Sequence, residues 1–216
     1  IVSLVCYTSQ MARLINDDVD VILVGDSLGM TIYGYNNTLS VTLDMMINHG
    51  AAVVRSTTKP HIVVDMPFGS YEESPQVAFK SASKIMRETG AQSVKLEGGE
   101  DQIAIVEHLA RHDIAVCAHL GLKPQSVHKI GGFRVQGRDS KEAKEILDNA
   151  KALQDAGADV VLLECVPNEL GKSIKENLDV PVIVRLEGTN AVEATQILAD
   201  TGVPIITAER IQDAGT

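Results

Sequence analysis

The amino-acid sequence predicts an α/β fold of the (β/α)8, TIM-barrel-like class. Two observations carry this prediction: short apolar runs rich in β-branched residues recur along the chain, and segments with helical periodicity separate them. Continuous apolar character without alternation is typical of strands that are covered on both faces, as in a parallel sheet. Eight such strands that alternate with helices make a barrel the expected architecture.

The sequence predicts eight strands. They lie at 4–8, 21–26, 61–68, 93–99, 115–121, 160–166, 181–187 and 204–210. Helical patterns occupy about 43–56, 75–89, 101–112, 169–178 and 190–201. A further helix is expected after Asp139, which can cap it together with Glu142, and this helix ends near Gly157.

The length of the chain favours one domain. Its 216 residues, 44% of them hydrophobic, suffice for one substantial core, so we expect a single barrel-like domain over 1–216. The sequence stops where an eighth helix would begin, so the last helix of the barrel is expected to be missing. The longest irregular stretch, 123–138, follows the fifth strand, where a barrel carries an active-site loop, and we expect it to cover a ligand.

Composition excludes several classes of partner. A formal charge of -10 argues against nucleic acid and anionic membranes, because both need clustered Lys and Arg. No apolar run is long enough to cross a bilayer, and the first residues do not resemble a signal peptide. Cys6, Cys117 and Cys165 lack metal-binding spacing, so we expect buried, reduced thiols in a cytoplasmic protein.

Charged residues close most of the predicted strands. They are Asp26, Asp65, Glu97, Glu164, Glu187 and Glu209, and His119 has the same place in the fifth strand. A barrel gathers the carboxyl ends of its strands at one mouth, where carboxylates repel one another unless a cation or shared proton relieves them. Oxygen ligands of this kind favour Mg²⁺ or a similar hard ion. The alternative is that single acids cap the helices that follow them.

Lys95 lies two residues before Glu97, so both side chains share one face of the fourth strand. A lysine that points into a barrel among carboxylates is costly unless it pairs with an acid or an anionic substrate. Two interpretations stay open, a structural ion pair inside the barrel and a contact to the substrate.

Six motifs resemble one enzyme family in order and spacing. They are VGDSLGM (24–30), DMPFGSY (65–71), VKLEGG (94–99), HLGLKPQSV (119–127), GGFRVQGR (131–138) and LLECVP (162–167). Over about residues 4–180 the sequence resembles 3-methyl-2-oxobutanoate hydroxymethyltransferase. The resemblance implies transfer of a one-carbon unit from 5,10-methylenetetrahydrofolate to a small keto acid, 3-methyl-2-oxobutanoate, which gives ketopantoate for pantothenate synthesis. It also implies Mg²⁺ and leaves a homo-oligomer open.

The resemblance assigns a role to each matching residue. Asp26, Asp65 and Glu97 correspond to the metal site. Ser27, Asp65, Lys95 and His119 correspond to residues that contact the substrate, and Glu164 to the base that removes its C3 proton.

The last segment departs from this pattern. Residues from about 180 to 216, with VRLEG and LADTG, resemble the C-terminal βαβ unit of a succinyl-CoA ligase β chain. This implies a chimera with a junction near 178–181, in which a foreign unit completes the barrel. A divergent natural enzyme is the alternative. If the chain is an engineered chimera, its function is either the transferase activity or only that of a folded scaffold.

Overall fold

The computed structural model describes residues 1–130, 132 and 134–185. Within them seven strands form one sheet. The strands are β1 (Ser3–Val5), β2 (Val21–Val24), β3 (His61–Asp65), β4 (Ser93–Glu97), β5 (Ala115–Gly121), β6 (Val160–Glu164) and β7 (Val182–Arg185). The strand predicted at 204–210 and the helix predicted at 190–201 lie outside the described residues, as do Glu187 and Glu209.

The strands are ordered in the sheet as they are in the chain, from β1 to β7. All pairs from β1 to β6 are parallel, so the chain returns to the same end of the sheet after each strand. The result is a nearly closed α/β barrel, which confirms the predicted fold class. The prediction that the last helix of the barrel is missing concerns residues that the structure does not describe.

Helices connect each strand to the next. They are α1 (Ser9–Ile15), α2 (Leu28–Thr31), α3 (Leu43–Val54), α4 (Pro75–Thr89), α5 (Ile103–Ala110), α6 (Val127–Ile130), α7 (Ser140–Asp155) and α8 (Asn168–Asn177). As predicted, Asp139 caps α7: its Oδ1 accepts hydrogen bonds from the backbone N–H groups of Lys141 and Glu142 at 3.0 and 2.9 Å. Thr8, Thr42 and Ser74 cap α1, α3 and α4 in the same way.

Side chains alternate across the barrel wall. One set packs against the helices in the main core and includes Ile22, Val64, Leu96, Ala118 and Leu163. The other set points into the barrel, where Leu23, Val63, Cys117 and Leu162 form a second, smaller cluster. Because the side-chain period of a strand is two, the next inward residues are Asp65 after Val63, His119 after Cys117 and Glu164 after Leu162.

The predicted boundaries were wrong at several places. Five strands, β1, β2, β3, β4 and β6, end two or three residues earlier than predicted. The backbone turns after β4 and β6, where Gly98 has φ 146° and Cys165 has φ 51°, values that cannot continue a ladder. The helix α1 was not predicted. The stretch 123–138, predicted as irregular, contains a 3-10 turn (Pro124–Ser126) and α6.

The chain divides into a compact unit of residues 1–184 and a second unit of residues 185–216. In the described part no helix is long and apolar enough to cross a membrane. None of the three cysteines forms a disulfide, and only Cys6 and Cys117 are buried. The prediction of a third buried thiol was wrong, because Cys165 lies past the end of β6 and is partly exposed.

Gly121 ends β5 with φ 87°, and an added Cβ would lie 2.2 Å from the carbonyl oxygen of Glu164. We expect Gly121→Ala to lower the free energy of unfolding by about 3 kcal/mol or more, because strain and overpacking add. Gly69→Ala is the matched control: φ is also positive, at 80°, but nothing lies within 4 Å, so the loss is about 1–2 kcal/mol. Urea unfolding of both variants measures the difference, and equal losses would contradict the clash.

Candidate active site

The carboxyl ends of β2 to β6 bring five of the predicted residues together in the barrel mouth. They are Asp26, Asp65, Glu97, His119 and Glu164, and each is at most 5% exposed. Register places them side by side: Asp65 is level with Lys95, Glu97 with His119, and Glu164 with Gly121. Residues that are far apart in sequence therefore form one buried ionisable cluster, as predicted from their positions at strand ends.

Lys95 lies at the centre of this cluster. Its Nζ is 3.1 Å from Asp65 Oδ2, 3.4 Å from His119 Nδ1 and 3.8 Å from Glu97 Oε1. Burial alone would lower the pKa of Lys95, but the charges of Asp65, Glu97 and Asp26 raise it above its usual value. The ammonium therefore stays charged and offsets part of the negative charge around it. Of the two interpretations of Lys95, the ion pair inside the barrel is present in the structure.

His119 lies between two acids. Its Nδ1 is 3.5 Å from Glu97 Oε1, and its Nε2 is 3.4 Å from Glu164 Oε2. Burial raises the pKa of Glu97, but the adjacent His119, together with the charge of Lys95, outweighs burial and lowers it overall. The neighbours of Glu97 thus favour its ionised form.

Asp26 and Asp65 are less well compensated. The backbone N–H of Asp26 donates to Asp65 Oδ2 at 3.0 Å, which holds the two residues together. Burial raises the pKa of Asp26 despite the charge of Lys95. The pKa of Asp65 is raised to about 7. Burial is the largest cause, the charge of Asp26 adds to it, and Lys95 opposes both. Burial of these two acids has an electrostatic cost that Lys95 offsets only in part.

Gln125 and Tyr71 belong to the same site, although the motif analysis gave neither of them a role. Gln125 Nε2 donates to Asp26 Oδ2 at 2.8 Å, and its backbone N–H donates to Glu97 Oε2 at 3.0 Å. Tyr71 OH donates to Gln125 Oε1 at 2.6 Å. The only sequence signal was their presence inside DMPFGSY and HLGLKPQSV. The predicted loop thus contributes a side chain to the site itself.

Ser27 lies at the edge of the cluster, at the start of α2, and is partly exposed. Its Oγ is 2.8 Å from the hydroxyl of Tyr7. A Cβ at Gly25 would lie 2.9 Å from this Oγ and 3.6 Å from Asp65 Oδ2, so the glycine permits the close approach of the β2 end to Asp65. Ser27 is the predicted site residue most accessible to a ligand.

The carboxylates share a pattern that suits a hard cation. Asp65 Oδ2 is held by the backbone of Asp26 and by Lys95, whereas Asp65 Oδ1 has no hydrogen-bond partner. Glu97 Oε2 accepts from Gln125, whereas Glu97 Oε1 has no hydrogen-bond partner. Among the residues the structure describes, no group of three or more His, Cys, Asp or Glu side chains is arranged at metal-binding geometry. The donor chemistry of Asp26, Asp65 and Glu97 fits Mg²⁺.

Solved structures share this architecture. A putative phosphonomutase from Burkholderia cenocepacia J2315 matches with a TM-score of 0.68 over 93% of this chain and 93% of that one, at 18% identity. A phosphoenolpyruvate phosphomutase from Streptomyces platensis subsp. rosaceus matches with a TM-score of 0.59 over 93% of this chain and 79% of that one, at 15% identity. At these identities the likeness concerns the fold alone. Fold and site together define an α/β barrel with a buried ionisable cluster at its carboxyl-end mouth.

Sequence comparison narrows this class to one family. The family model of ketopantoate hydroxymethyltransferase matches residues 1–184, so the chain belongs to that family. The 3-methyl-2-oxobutanoate hydroxymethyltransferase of Bordetella petrii is 49% identical over 183 residues, which are 85% of this chain and 66% of that protein. The enzyme of the same name from Ruegeria sp. is 50% identical over 85% of this chain and 65% of its own length. The chain therefore spans about two thirds of the length of these relatives.

Lys95→Met tests whether the ammonium holds the cluster together. We expect the free energy of unfolding to fall by about 3 kcal/mol or more near pH 8, because the variant leaves buried carboxylates without their cation. Lys84→Met is the control: Lys84 pairs with Asp44 at 2.7 Å on the surface, and losing an exposed pair should cost far less stability. Both variants are unfolded with urea in the presence of a chelator.

The loss in Lys95→Met should grow between about pH 5 and about pH 8. With Lys95 present, the pKa of Asp65 is already raised to about 7, so stability from this group declines as pH rises toward that value. Without Lys95 the folded carboxyls hold protons to still higher pH. The folded variant then binds more protons than the folded parent, and its stability falls faster with pH. A loss that is independent of pH would contradict this electrostatic role.

Proposed function

We propose that this chain transfers a hydroxymethyl group from 5,10-methylenetetrahydrofolate to 3-methyl-2-oxobutanoate, giving ketopantoate. The observation that carries the proposal is the buried cluster of four carboxylates, Lys95 and His119, in a chain of this family. Burial of such groups costs folding free energy, and apolar side chains would fill the same positions at less cost. A cluster of this kind is therefore a candidate for chemistry.

Glu164 is the base in this proposal. Its carboxylate takes the proton from C3 of the keto acid, and the electron pair left at C3 delocalises toward the C2 carbonyl oxygen. Water hydrolyses the methylene group of the folate, which leaves tetrahydrofolate and a one-carbon unit at the oxidation level of formaldehyde. The enolate carbon adds to this carbon as its C–O π bond breaks, and the alkoxide formed takes back the proton held by Glu164 to give the hydroxymethyl group. Glu164 Oε2 lies 3.4 Å from His119 Nε2, and this contact orients the carboxylate at the mouth.

The anionic keto acid needs positive charge in an acidic site. Lys95 supplies one such charge, and Ser27, whose Oγ is already oriented by Tyr7, supplies a hydroxyl at the open edge. His119 and Asp65 line the same space. Asp26, Asp65 and Glu97 would hold Mg²⁺, which would supply positive charge to stabilise the negative charge that develops on the keto oxygen.

A recombined barrel scaffold without catalytic function is the second candidate. What favours it is that the family match ends at residue 184. The segment beyond this point resembles a succinyl-CoA ligase β chain, and a junction there would replace parts of the mouth. Loops at a barrel mouth position catalytic groups, and an error of about 1 Å can cost roughly a hundredfold in rate.

Exchange of the C3 proton of 3-methyl-2-oxobutanoate in D₂O, followed by proton NMR, separates the two candidates. The transferase predicts exchange that requires Mg²⁺ and no folate. Glu164→Gln should slow it by about 100-fold or more, because the base is lost. Glu169→Gln, an exposed acid on α8, should exchange at the parent rate. A parent chain that binds Mg²⁺ but catalyses no exchange would instead support the scaffold.

A further inference from the structure

Gln125 is a buried side chain that contacts two of the proposed metal-binding acids. It lies in the 3-10 turn after β5 and is 6% exposed. Its Nε2 donates to Asp26 Oδ2 at 2.8 Å and to the Met66 carbonyl oxygen at 2.9 Å. Its backbone N–H donates to Glu97 Oε2 at 3.0 Å. One residue therefore binds one oxygen of each of two carboxylates that approach from different strands.

Tyr71 fixes the orientation of the Gln125 amide. Tyr71 OH donates to Gln125 Oε1 at 2.6 Å and itself accepts from the backbone N–H of Glu97 at 3.1 Å. A flipped amide would turn its oxygen toward the Asp26 carboxylate and the Met66 carbonyl, which are both acceptors. The amide thus has one stable orientation, in which both of its N–H donors are used.

The consequence is an asymmetric use of the carboxylate oxygens. Gln125 takes Asp26 Oδ2 and Glu97 Oε2, and Glu97 Oε1 has no hydrogen-bond partner. Asp65 repeats the pattern without Gln125, since its Oδ2 is held and its Oδ1 has no such partner. Hydrogen bonds of this kind orient metal-binding side chains and tune their affinity.

We propose that Gln125 is a positioning residue: it holds one oxygen of Asp26 and one of Glu97 so that their other oxygens face a divalent cation. Tyr71 acts through Gln125 by fixing its amide. This inference rests on the proposed function, because it takes these acids as the cation site. It differs from a packing role, which would affect stability and leave cation affinity unchanged.

Gln125→Met separates the two roles, because it keeps the length of the side chain and removes its donors and its acceptor. The backbone N–H of residue 125 still donates to Glu97, so the variant loses only the hydrogen bond to Asp26 among the two acids. Manganese titration followed by electron paramagnetic resonance, without substrate, should show about 10–100-fold weaker binding than the parent. Gln102→Met is the matched control, since Gln102 is also buried but makes no contact with the acids, and it should bind Mn²⁺ as the parent does.

Tyr71→Phe provides an independent test if Gln125→Met does not fold, as judged by circular dichroism. It should weaken Mn²⁺ binding on its own and should weaken it less in the Gln125→Met background, because both changes remove the contact between Tyr71 and the Gln125 amide. Parent-like Mn²⁺ affinity in Gln125→Met, or in Tyr71→Phe, would overturn the inference. The proposed function would still stand in that case if the parent catalysed cation-dependent exchange. A parent chain that binds no Mn²⁺ would overturn both.

Discussion

The rest of the site depends on one constraint, the burial of four carboxylates around a single ammonium. Asp26, Asp65, Glu97 and Glu164 are each at most 5% exposed, and Lys95 is the lysine among them. Burial raises the pKa of Asp26 and Asp65, whereas His119 and Lys95 together lower that of Glu97. Unequal compensation leaves one part of the cluster short of positive charge. The fold tolerates this because the barrel wall beneath is well packed and apolar.

That shortage of positive charge connects the structure to the proposed chemistry. A keto acid is an anion, and excess carboxylates in a buried pocket repel it unless a cation binds with it. Oxygens without hydrogen-bond partners on Asp65 and Glu97 are suitable ligands for such an ion. The second oxygen of Glu97 accepts from the backbone of Gln125, and that of Asp65 from the backbone of Asp26 and from Lys95. The carboxylate oxygens whose burial costs folding free energy are therefore the same atoms that the proposed reaction uses.

Much of the site could be predicted from the sequence because strand periodicity is local. Asp65, His119 and Glu164 each follow an inward apolar residue by two positions, and a barrel brings such positions together. Gln125 could not be found in this way, since its partner Asp26 is 99 residues away and the contact depends on a turn. Strand ends were missed for a related reason: the turn at Cys165 has φ 51°, which the apolar run around it does not reveal.

Thermal unfolding near pH 8 with increasing Mg²⁺, with and without 3-methyl-2-oxobutanoate, tests the central claim most directly, because ligands that bind only the folded state raise its stability. The charge-deficient cluster predicts a midpoint that rises with Mg²⁺ and rises further when the keto acid is added with the ion. K⁺ at the same ionic strength should produce no such rise. An unchanged midpoint in Mg²⁺, or an equal rise in K⁺, would contradict the claim that the buried carboxylates form a site for a divalent cation and an anionic substrate.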